Sequence, residues 1–108
     1  MDKKDALKIA RRYASLIEAN YDCNRIFLFG SYTTGAYHDE SDIDIAVILK
    51  EFENPMDMQL ELMRLRRKID SRIEPHPFRE KDFNMSHPVA HEILTHGQRI
   101  DADSNWSL

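Results

Sequence analysis

Apolar residues recur along the chain with two different spacings, which predict alternating helices and strands. Near residues 3–20 the spacing is helical, and the apolar positions are Ala6, Ile9, Ala10, Tyr13, Leu16 and Ile17. Residues 25–29 form a short apolar run closed by Gly30, which predicts a buried strand. Residues 42–49 begin with strict alternation and become wholly apolar, which predicts a central strand covered on both faces.

Helix start and stop signals mark the rest of the chain. Residues 31–41 are polar, and we expect a half-turn of helix followed by a loop there. Asn54 and Pro55 suit the N-cap and first position of a second long helix. Its apolar stripe is expected at Met56, Leu60, Leu62, Met63, Leu65 and Ile69. A last helix is predicted from near Pro88 to His96, with Gly97 as its C-terminal stop.

A third, short strand is predicted at residues 71–74, with Pro75 and Pro77 ending it. The order of elements is therefore helix, strand, short helix, strand, helix, strand, helix. It predicts an α/β (α+β) domain with a small three-stranded sheet flanked by helices. The link between the first two strands has only about a dozen residues, near the minimum for a parallel crossover, which favours a mixed sheet.

The length of the chain sets its domain organisation. Its 108 residues fit one domain, which we assign to residues 1–100, with residues 101–108 as a polar C-terminal tail. A chain of this size buries a modest core, so we expect a bound ligand or a partner subunit, identical or different, to matter to it. No apolar run approaches a membrane span, and the lone Cys23 cannot form an internal disulfide. We therefore expect a cytoplasmic protein that does not enter a membrane.

The formal net charge of −4 narrows the classes of partner. Binding of long nucleic acid needs an excess of Lys and Arg on one face, so we do not expect this chain to hold it alone. A single nucleotide remains possible, because metal ions can supply the positive charge that the side chains lack.

Two motifs carry the candidate chemistry. Asp42 and Asp44 are two residues apart at the start of a strand, so their carboxylates project from one face and repel each other unless a cation lies between them. Oxygen ligands of this kind suit Mg²⁺, with substrate phosphates completing its coordination. Gly30 and Ser31 end the preceding strand, and glycine lets the backbone come close to a phosphate. Together the motifs predict a site for a metal-bound triphosphate.

A two-metal displacement needs a third carboxylate, and Glu74 is the candidate. If its neighbour Ile73 faces the core, Glu74 falls on the same face as Asp42 and Asp44. Asp70 is the nearby competitor, although it is expected at the end of the preceding helix.

Plainer interpretations exist for each feature. Asp42, Asp44 and Glu74 could be solvated surface acids, and a Gly-Ser pair alone could be an ordinary turn. His87, His91 and His96 suggest zinc, but Pro88 interrupts them and no cysteine pair is near. The chain also has a basic run that is either a solvated surface or a partner contact, formed by Arg64, Arg66, Arg67 and Lys68.

The stretch GSYTTGAYHDESDIDIAVIL resembles the signature of the minimal nucleotidyltransferase family within the DNA polymerase beta superfamily. The resemblance implies the nucleotidyltransferase fold, two Mg²⁺ ions and ATP as donor. It also implies that Asp42 and Asp44 bind both ions, that Glu74 supplies the third acidic ligand, and that Gly30 and Ser31 hold the triphosphate.

The chain departs from the pattern at one point. Many members of the family carry an Arg shortly after the Gly-Ser pair, where this chain has Thr33 and Thr34. This departure bears on the affinity for the triphosphate more than on the transfer reaction itself.

The resemblance also implies an acceptor. Free-standing members of this family are similar to antitoxins (MntA-type) whose partner is a HEPN-domain toxin, and they transfer AMP to a tyrosine of that toxin. Two alternatives remain: a small-molecule adenylyltransferase of the antibiotic-modifying kind, and a non-catalytic module that only binds a toxin. The intact set of Asp42, Asp44 and Glu74 argues against the last.

Overall fold

The structure is a computed structural model and describes residues 1–101. Within these residues, helices occupy Lys3–Asn20 (α1), Ser31–Thr34 (α2), Pro55–Leu65 (α3) and Pro88–His96 (α4). Strands occupy Cys23–Phe29 (β1), Ile43–Leu49 (β2), Ile73–Arg79 (β3) and Gln98–Arg99 (β4). Single 3₁₀ turns follow α3 at Arg66–Lys68 and β3 at Glu80–Asp82.

The strands form one mixed sheet in the order β3-β2-β1-β4. Antiparallel pairs join β1 to β2 and β1 to β4, whereas β2 and β3 are parallel. The predicted α/β class and mixed sheet are therefore confirmed. The strand count is corrected from three to four, because β4 has two residues and is too short to show a period of two in the sequence.

The two faces of the sheet are covered to different extents. One face packs against α1 and α3, and its buried sheet residues are Ile26, Leu28, Ile43, Ile45, Val47, Leu49 and Ile73. On the other face Phe27, Ala46 and Ile48 pack against α4 and the turn before it, through Phe83, Ala90 and Ile93. The first residues of β2 lie beyond that cover, and the Asp44 side chain is 26% exposed.

The two helices on the first face are joined by a buried hydrogen bond. The hydroxyl of Tyr13 on α1 donates to the Leu62 carbonyl of α3 over 2.6 Å. Tyr13 is fully buried, and burial raises the pKa of its hydroxyl far above the ordinary value. A second tyrosine, Tyr21 just after α1, donates to Glu61 of α3 over 3.0 Å at the exposed edge of the same interface.

Pro75 and Pro77 lie inside β3, so the prediction that they end this strand is wrong. They are tolerated because β3 is an edge strand of the sheet within residues 1–101, where β2 is its one neighbour. The N–H of Ile43 donates to the Arg72 carbonyl, so the even-numbered peptide groups of β3 face β2. The prolines belong to the odd-numbered positions, whose missing N–H groups would have pointed away from the sheet.

The outer edge of β3 is also occupied by side chains of the preceding helix and turn. Gln59 donates to the Pro75 carbonyl over 2.6 Å, and Arg66 donates to the Ile73 carbonyl over 2.9 Å. The Ile73 N–H is bonded to the Asp70 carbonyl. With these groups engaged and two N–H groups absent, the edge offers little to an incoming strand.

The two residues that follow β4, Ile100 and Asp101, are hydrogen-bonded to β1. Ile100 donates its N–H to the Ile26 carbonyl, and the Ile26 N–H is bonded to the carboxylate of Asp101. Asp101 is only 2% exposed and also accepts from Arg99 over 2.7 Å. The first residue of the predicted tail is therefore packed, and residues 102–108 lie outside the described residues.

None of the helices within residues 1–101 combines the length and the apolar character needed to cross a membrane.

We expect Tyr13→Phe to lower the free energy of unfolding by about 0.5–1.5 kcal/mol, because it removes a buried hydrogen bond to Leu62. In a domain of about a hundred residues this shifts the midpoint of thermal unfolding by several degrees. Tyr21→Phe is the matched control, since it removes an exposed bond across the same pair of elements. Circular dichroism melting curves that rank Tyr21→Phe as the more destabilising change would contradict this account of how α1 and α3 are joined.

Candidate active site

Gly30 forms a sharp turn from β1 into α2. Its φ of +79° lies in the left-handed region, which favours glycine. Its carbonyl accepts hydrogen bonds from the N–H groups of Thr33 and Thr34 and from the Thr33 hydroxyl at 2.9 Å. Thr33 therefore stabilises the turn through its own hydrogen bonds to Gly30. It is one of the two residues found where many members of the family carry an Arg.

The turn lies directly against Asp44. Phe29 pairs with Asp44 across β1 and β2, so Gly30 is the first residue beyond this pair. A Cβ atom at Gly30 would overlap Oδ2 of Asp44. Glycine is needed here for its backbone angle and for the close approach of a carboxylate. Ser31 follows as the first residue of α2 and is half-buried.

Three carboxylates share the open end of the sheet. Asp42 immediately precedes β2 and is exposed, and Asp44 is the second residue of that strand. The parallel register pairs Asp44 directly with Glu74 of β3. Ile73 is fully buried on the opposite face, so Glu74 lies on the face of the two aspartates. The structure thus places all three predicted acids on one face, at one end of two neighbouring strands.

Two basic side chains contact these acids, although neither was predicted as part of the site. His76 of β3 places Nε2 3.1 Å from Oδ1 of Asp44, and Arg66 places Nη1 3.8 Å from Oε2 of Glu74. His76 follows Glu74 by two residues, so it shares the same face of β3. It was missed because the strand was predicted to end before Pro75.

The fit of these residues to Mg²⁺ rests on their chemistry and backbone positions. Carboxylate oxygens at adjacent positions, beside a glycine whose missing Cβ leaves room for the Asp44 carboxylate, are a suitable donor set for this ion. In this structure Asp44 contacts His76, and Glu74 contacts Arg66. Residues 1–101 contain no group of three or more His, Cys, Asp or Glu side chains gathered around one point. The carboxylates therefore fit the ion by their positions on neighbouring strands, although the three side chains do not converge on one centre in this arrangement.

The competing carboxylate, Asp70, has another role. Its two oxygens accept from the Arg72 guanidinium at 3.0 and 2.8 Å, and one also accepts from the Arg72 N–H. These bonds to Arg72 hold the pKa of the Asp70 carboxyl below its ordinary value. Asp70 shapes the turn that leads into β3, and Glu74 is the acid that lies beside Asp44.

The histidines considered for zinc do not form such a site in the described part of the chain. His87 is the N-cap of α4, where Nδ1 accepts from the Ala90 N–H over 3.3 Å. Its ring also meets the edge of Phe78, with centroids 5.7 Å apart. A structural role therefore accounts for His87.

The basic run divides into two parts. Arg66 binds the carbonyl and carboxylate at the start of β3, as described above. Arg64, Arg67 and Lys68 are exposed and make no ion pair within residues 1–101. These three side chains remain available on the surface next to β3.

The carboxylates lie on an open face of the sheet. A cavity of about 510 Å³ lies near the far end of β3, lined by residues that include Phe52, Phe78, Arg79 and His87. Glu74 is at the opposite end of that strand. This cavity therefore does not include the carboxylates.

Solved structures of known proteins share this arrangement of strands and helices. A crystal structure described as a "putative nucleotidyltransferase" from Sulfolobus solfataricus matches with a TM-score of 0.62 and 24% identity, over 74% of this chain and 72% of that one. A toxin-antitoxin structure with AMP-PNP matches with a TM-score of 0.64 and 22% identity, over 90% of this chain and 76% of that one. These likenesses show the fold.

Two further comparisons are closer in sequence. A mutant of the toxin-antitoxin MntA-HpeT matches with 26% identity and a TM-score of 0.59, over 82% of this chain and 68% of that one. The "putative protein adenylyltransferase MJ0141" of Methanocaldococcus jannaschii is 50% identical over 28 residues, which are 26% of this chain. The matched segment spans only 28% of that relative's length.

The match to a protein family covers most of the chain. Residues 12–104 match the family described as "Polymerase beta, Nucleotidyltransferase", and this range includes the Gly30 turn and all three carboxylates. The fold expected from the resemblance is thus confirmed, and the chain belongs to the polymerase beta nucleotidyltransferase family.

Proposed function

We propose that this nucleotidyltransferase transfers AMP from ATP to a hydroxyl group of a partner protein, and that it acts as the antitoxin of that partner. The observation that carries the proposal is the placement of Asp42, Asp44 and Glu74 on one open face beside the Gly30 turn. The family supplies the reaction class, nucleotidyl transfer. The toxin-antitoxin neighbours, one of them with AMP-PNP, support the donor and the kind of partner.

The reaction is a displacement at the α-phosphorus of ATP. The acceptor hydroxyl oxygen forms a new bond to that phosphorus, and the bond from phosphorus to the oxygen that bridges to the β-phosphate breaks. Pyrophosphate leaves with the electron pair of the broken bond. The hydroxyl proton passes to the carboxylate of Glu74, whose side chain is 38% exposed and so within reach of an incoming acceptor.

The residues of the site divide between two tasks. Asp42 and Asp44 would hold two Mg²⁺ ions, with Glu74 as a further ligand of one of them. Bound there, the ions supply activation of the hydroxyl and charge neutralisation for pyrophosphate. Gly30 and the backbone of Ser31 would bind the triphosphate, next to the Asp44 carboxylate that lies where a Cβ of residue 30 would be.

The acceptor is assigned to a protein because the site is open and the molecule is acidic. A net charge of −4 disfavours RNA or DNA as acceptor. Phosphoryl transfer depends mainly on positioning, and a docked protein brings its hydroxyl into line with binding area of its own. We propose a tyrosine hydroxyl of a HEPN-type toxin, in the cytoplasm, where ATP is present.

The outer face of α3 suits such a partner. Met56 and Leu60 are 73% and 47% exposed on this helix. The same helix and the turn after it bind β3 through Gln59 and Arg66, next to Glu74. An apolar anchor seated on Leu60, with acidic groups around it to meet Arg64, would reach the carboxylates around the edge of β3, because α3 packs on the opposite face of the sheet.

Asp42→Asn and Asp44→Asn are each expected to lower transfer by more than about a hundredfold, because they remove metal ligands and not merely outer-shell partners. Neither should lower the midpoint of thermal unfolding in metal-free buffer, since each relieves repulsion between like charges. Initial rates with labelled ATP and melting curves with chelator measure the two effects. A loss of several degrees without metal would show that the pair is structural.

Gly30→Ala is expected to weaken ATP binding at least tenfold, because its Cβ would displace the Asp44 carboxylate. Gly35→Ala is a matched control, since Gly35 also has a positive φ of +84° but nothing lies within 4 Å of its Cβ position. Gly30→Ala should also lose more stability than Gly35→Ala, because its Cβ meets Asp44 in addition to the backbone strain that both variants share. Equal ATP dissociation constants for the two variants would contradict the assigned closeness of the turn to the site.

Leu60→Asp is expected to abolish AMP labelling of the protein encoded by the neighbouring reading frame, while ATP binding stays unchanged. Val89→Asp on α4 is the control, because Val89 is 46% exposed and Leu60 is 47% exposed. Incubation with labelled ATP and Mg²⁺, followed by intact mass measurement, detects the added AMP. Label in added RNA or an aminoglycoside, with the neighbouring protein unmodified, would refute the antitoxin proposal and leave the nucleotidyltransferase family assignment intact.

A further inference from the structure

From the contacts around Asp44 we infer that His76 is a positioning residue for this carboxylate. Its Nε2–H donates to Oδ1 of Asp44 over 3.1 Å and restrains this carboxylate beside the proposed metal site. The inference rests on the proposed role of Asp44 as a metal ligand.

Both carboxylate oxygens of Asp44 have a close neighbour. Oδ2 lies against the backbone of Gly30, where no Cβ fits, and Oδ1 accepts from His76. A carboxylate oxygen has two lone pairs, so one hydrogen bond leaves Oδ1 able to bind a cation. The two contacts restrict rotation of the carboxylate and leave its outer lone pairs open. Because the carboxylate only accepts, the proton of a neutral His76 ring lies on Nε2.

The position of His76 is itself determined by its neighbours. Its register partner on β2 is Ala46, which is fully buried and leaves space above the sheet for a ring. Phe29 meets the His76 ring edge-on, with centroids 5.0 Å apart and an interplanar angle of 65°. Phe29 is also the register partner of Asp44 on β1. One aromatic ring therefore lies beside both members of the His76–Asp44 pair.

His76 thus has two separable features, a hydrogen-bond donor and a ring that packs on Phe29. The donor should set metal affinity, because outer-shell partners of metal ligands typically contribute 10–100-fold. The ring should set stability through packing. Two substitutions separate these features: His76→Phe keeps a ring and loses the donor, whereas His76→Gln keeps a terminal N–H donor and loses the ring.

The test measures Mn²⁺ binding without nucleotide, by electron paramagnetic resonance of the free ion, alongside melting curves in metal-free buffer. His76→Phe should raise the Mn²⁺ dissociation constant about tenfold or more with little change in the melting midpoint. His76→Gln should restore most of the affinity at a lower melting midpoint. His87→Ala is the control, because His87 also meets a Phe ring edge-on but contacts α4 instead of a carboxylate. It should bind Mn²⁺ as the unmodified protein does.

Unchanged or tighter Mn²⁺ binding in His76→Phe would overturn the inference, the latter because it would mean that His76 competes with the metal. Weaker binding in His76→Gln than in His76→Phe would also overturn it and assign the ring as the important part. Asp44→Asn separates this inference from the proposed function. If Asp44→Asn binds Mn²⁺ normally, the proposed metal site itself is wrong. If Asp44→Asn loses binding and His76→Phe does not, only the role of His76 is refuted.

Discussion

The site depends on one constraint, the position of β2 between an antiparallel and a parallel neighbour. This arrangement brings Phe29 to one side of Asp44 and Glu74 to the other, in a single row across three strands. Each residue of the row comes from a different part of the chain, and hydrogen bonds of the sheet fix their spacing. A slip of one residue at either pair would turn the neighbouring side chain to the opposite face. The hydrophobic core that fixes the register of the strands therefore also fixes the positions of the carboxylates.

Uneven covering of the sheet explains why a row of acids is tolerated there. The same face of β2 is sealed from Ala46 onward by α4 and Phe83, but Asp44 lies before that cover begins. Three carboxylates under α4 would lose their contact with water, at a large cost in free energy. Because the cover by α4 and Phe83 begins at Ala46, the charged groups before it remain in contact with water.

Sequence patterns were sufficient to predict an element where the local conformational preference of its residues agrees with the conformation they adopt in the fold. The period of α1, the N-cap Asn54 and the apolar run of β2 are local signals, and the elements appear where they predict them. The motifs at Gly30 and at Asp42 with Asp44 also stand out locally, and Glu74 follows from the burial of Ile73. Prediction failed at Pro75 and Pro77, because proline ends an inner strand but is acceptable on an edge, and edge position is a tertiary property. The same error hid His76, and β4 is too short to give any pattern.

The proline-bearing edge of β3 has a consequence for how this molecule recognises others. A protein that approached β3 could not extend the sheet with a strand of its own, because Pro75 and Pro77 offer no N–H and Gln59 and Arg66 already hold the neighbouring carbonyls. Binding of a protein near the carboxylates must then depend on the shape and charge of side chains and not on backbone hydrogen bonds between strands. Side-chain surfaces change by single substitutions without disturbing the sheet. Substitutions on this surface can therefore change what binds near the carboxylates while the row of Phe29, Asp44 and Glu74 stays the same.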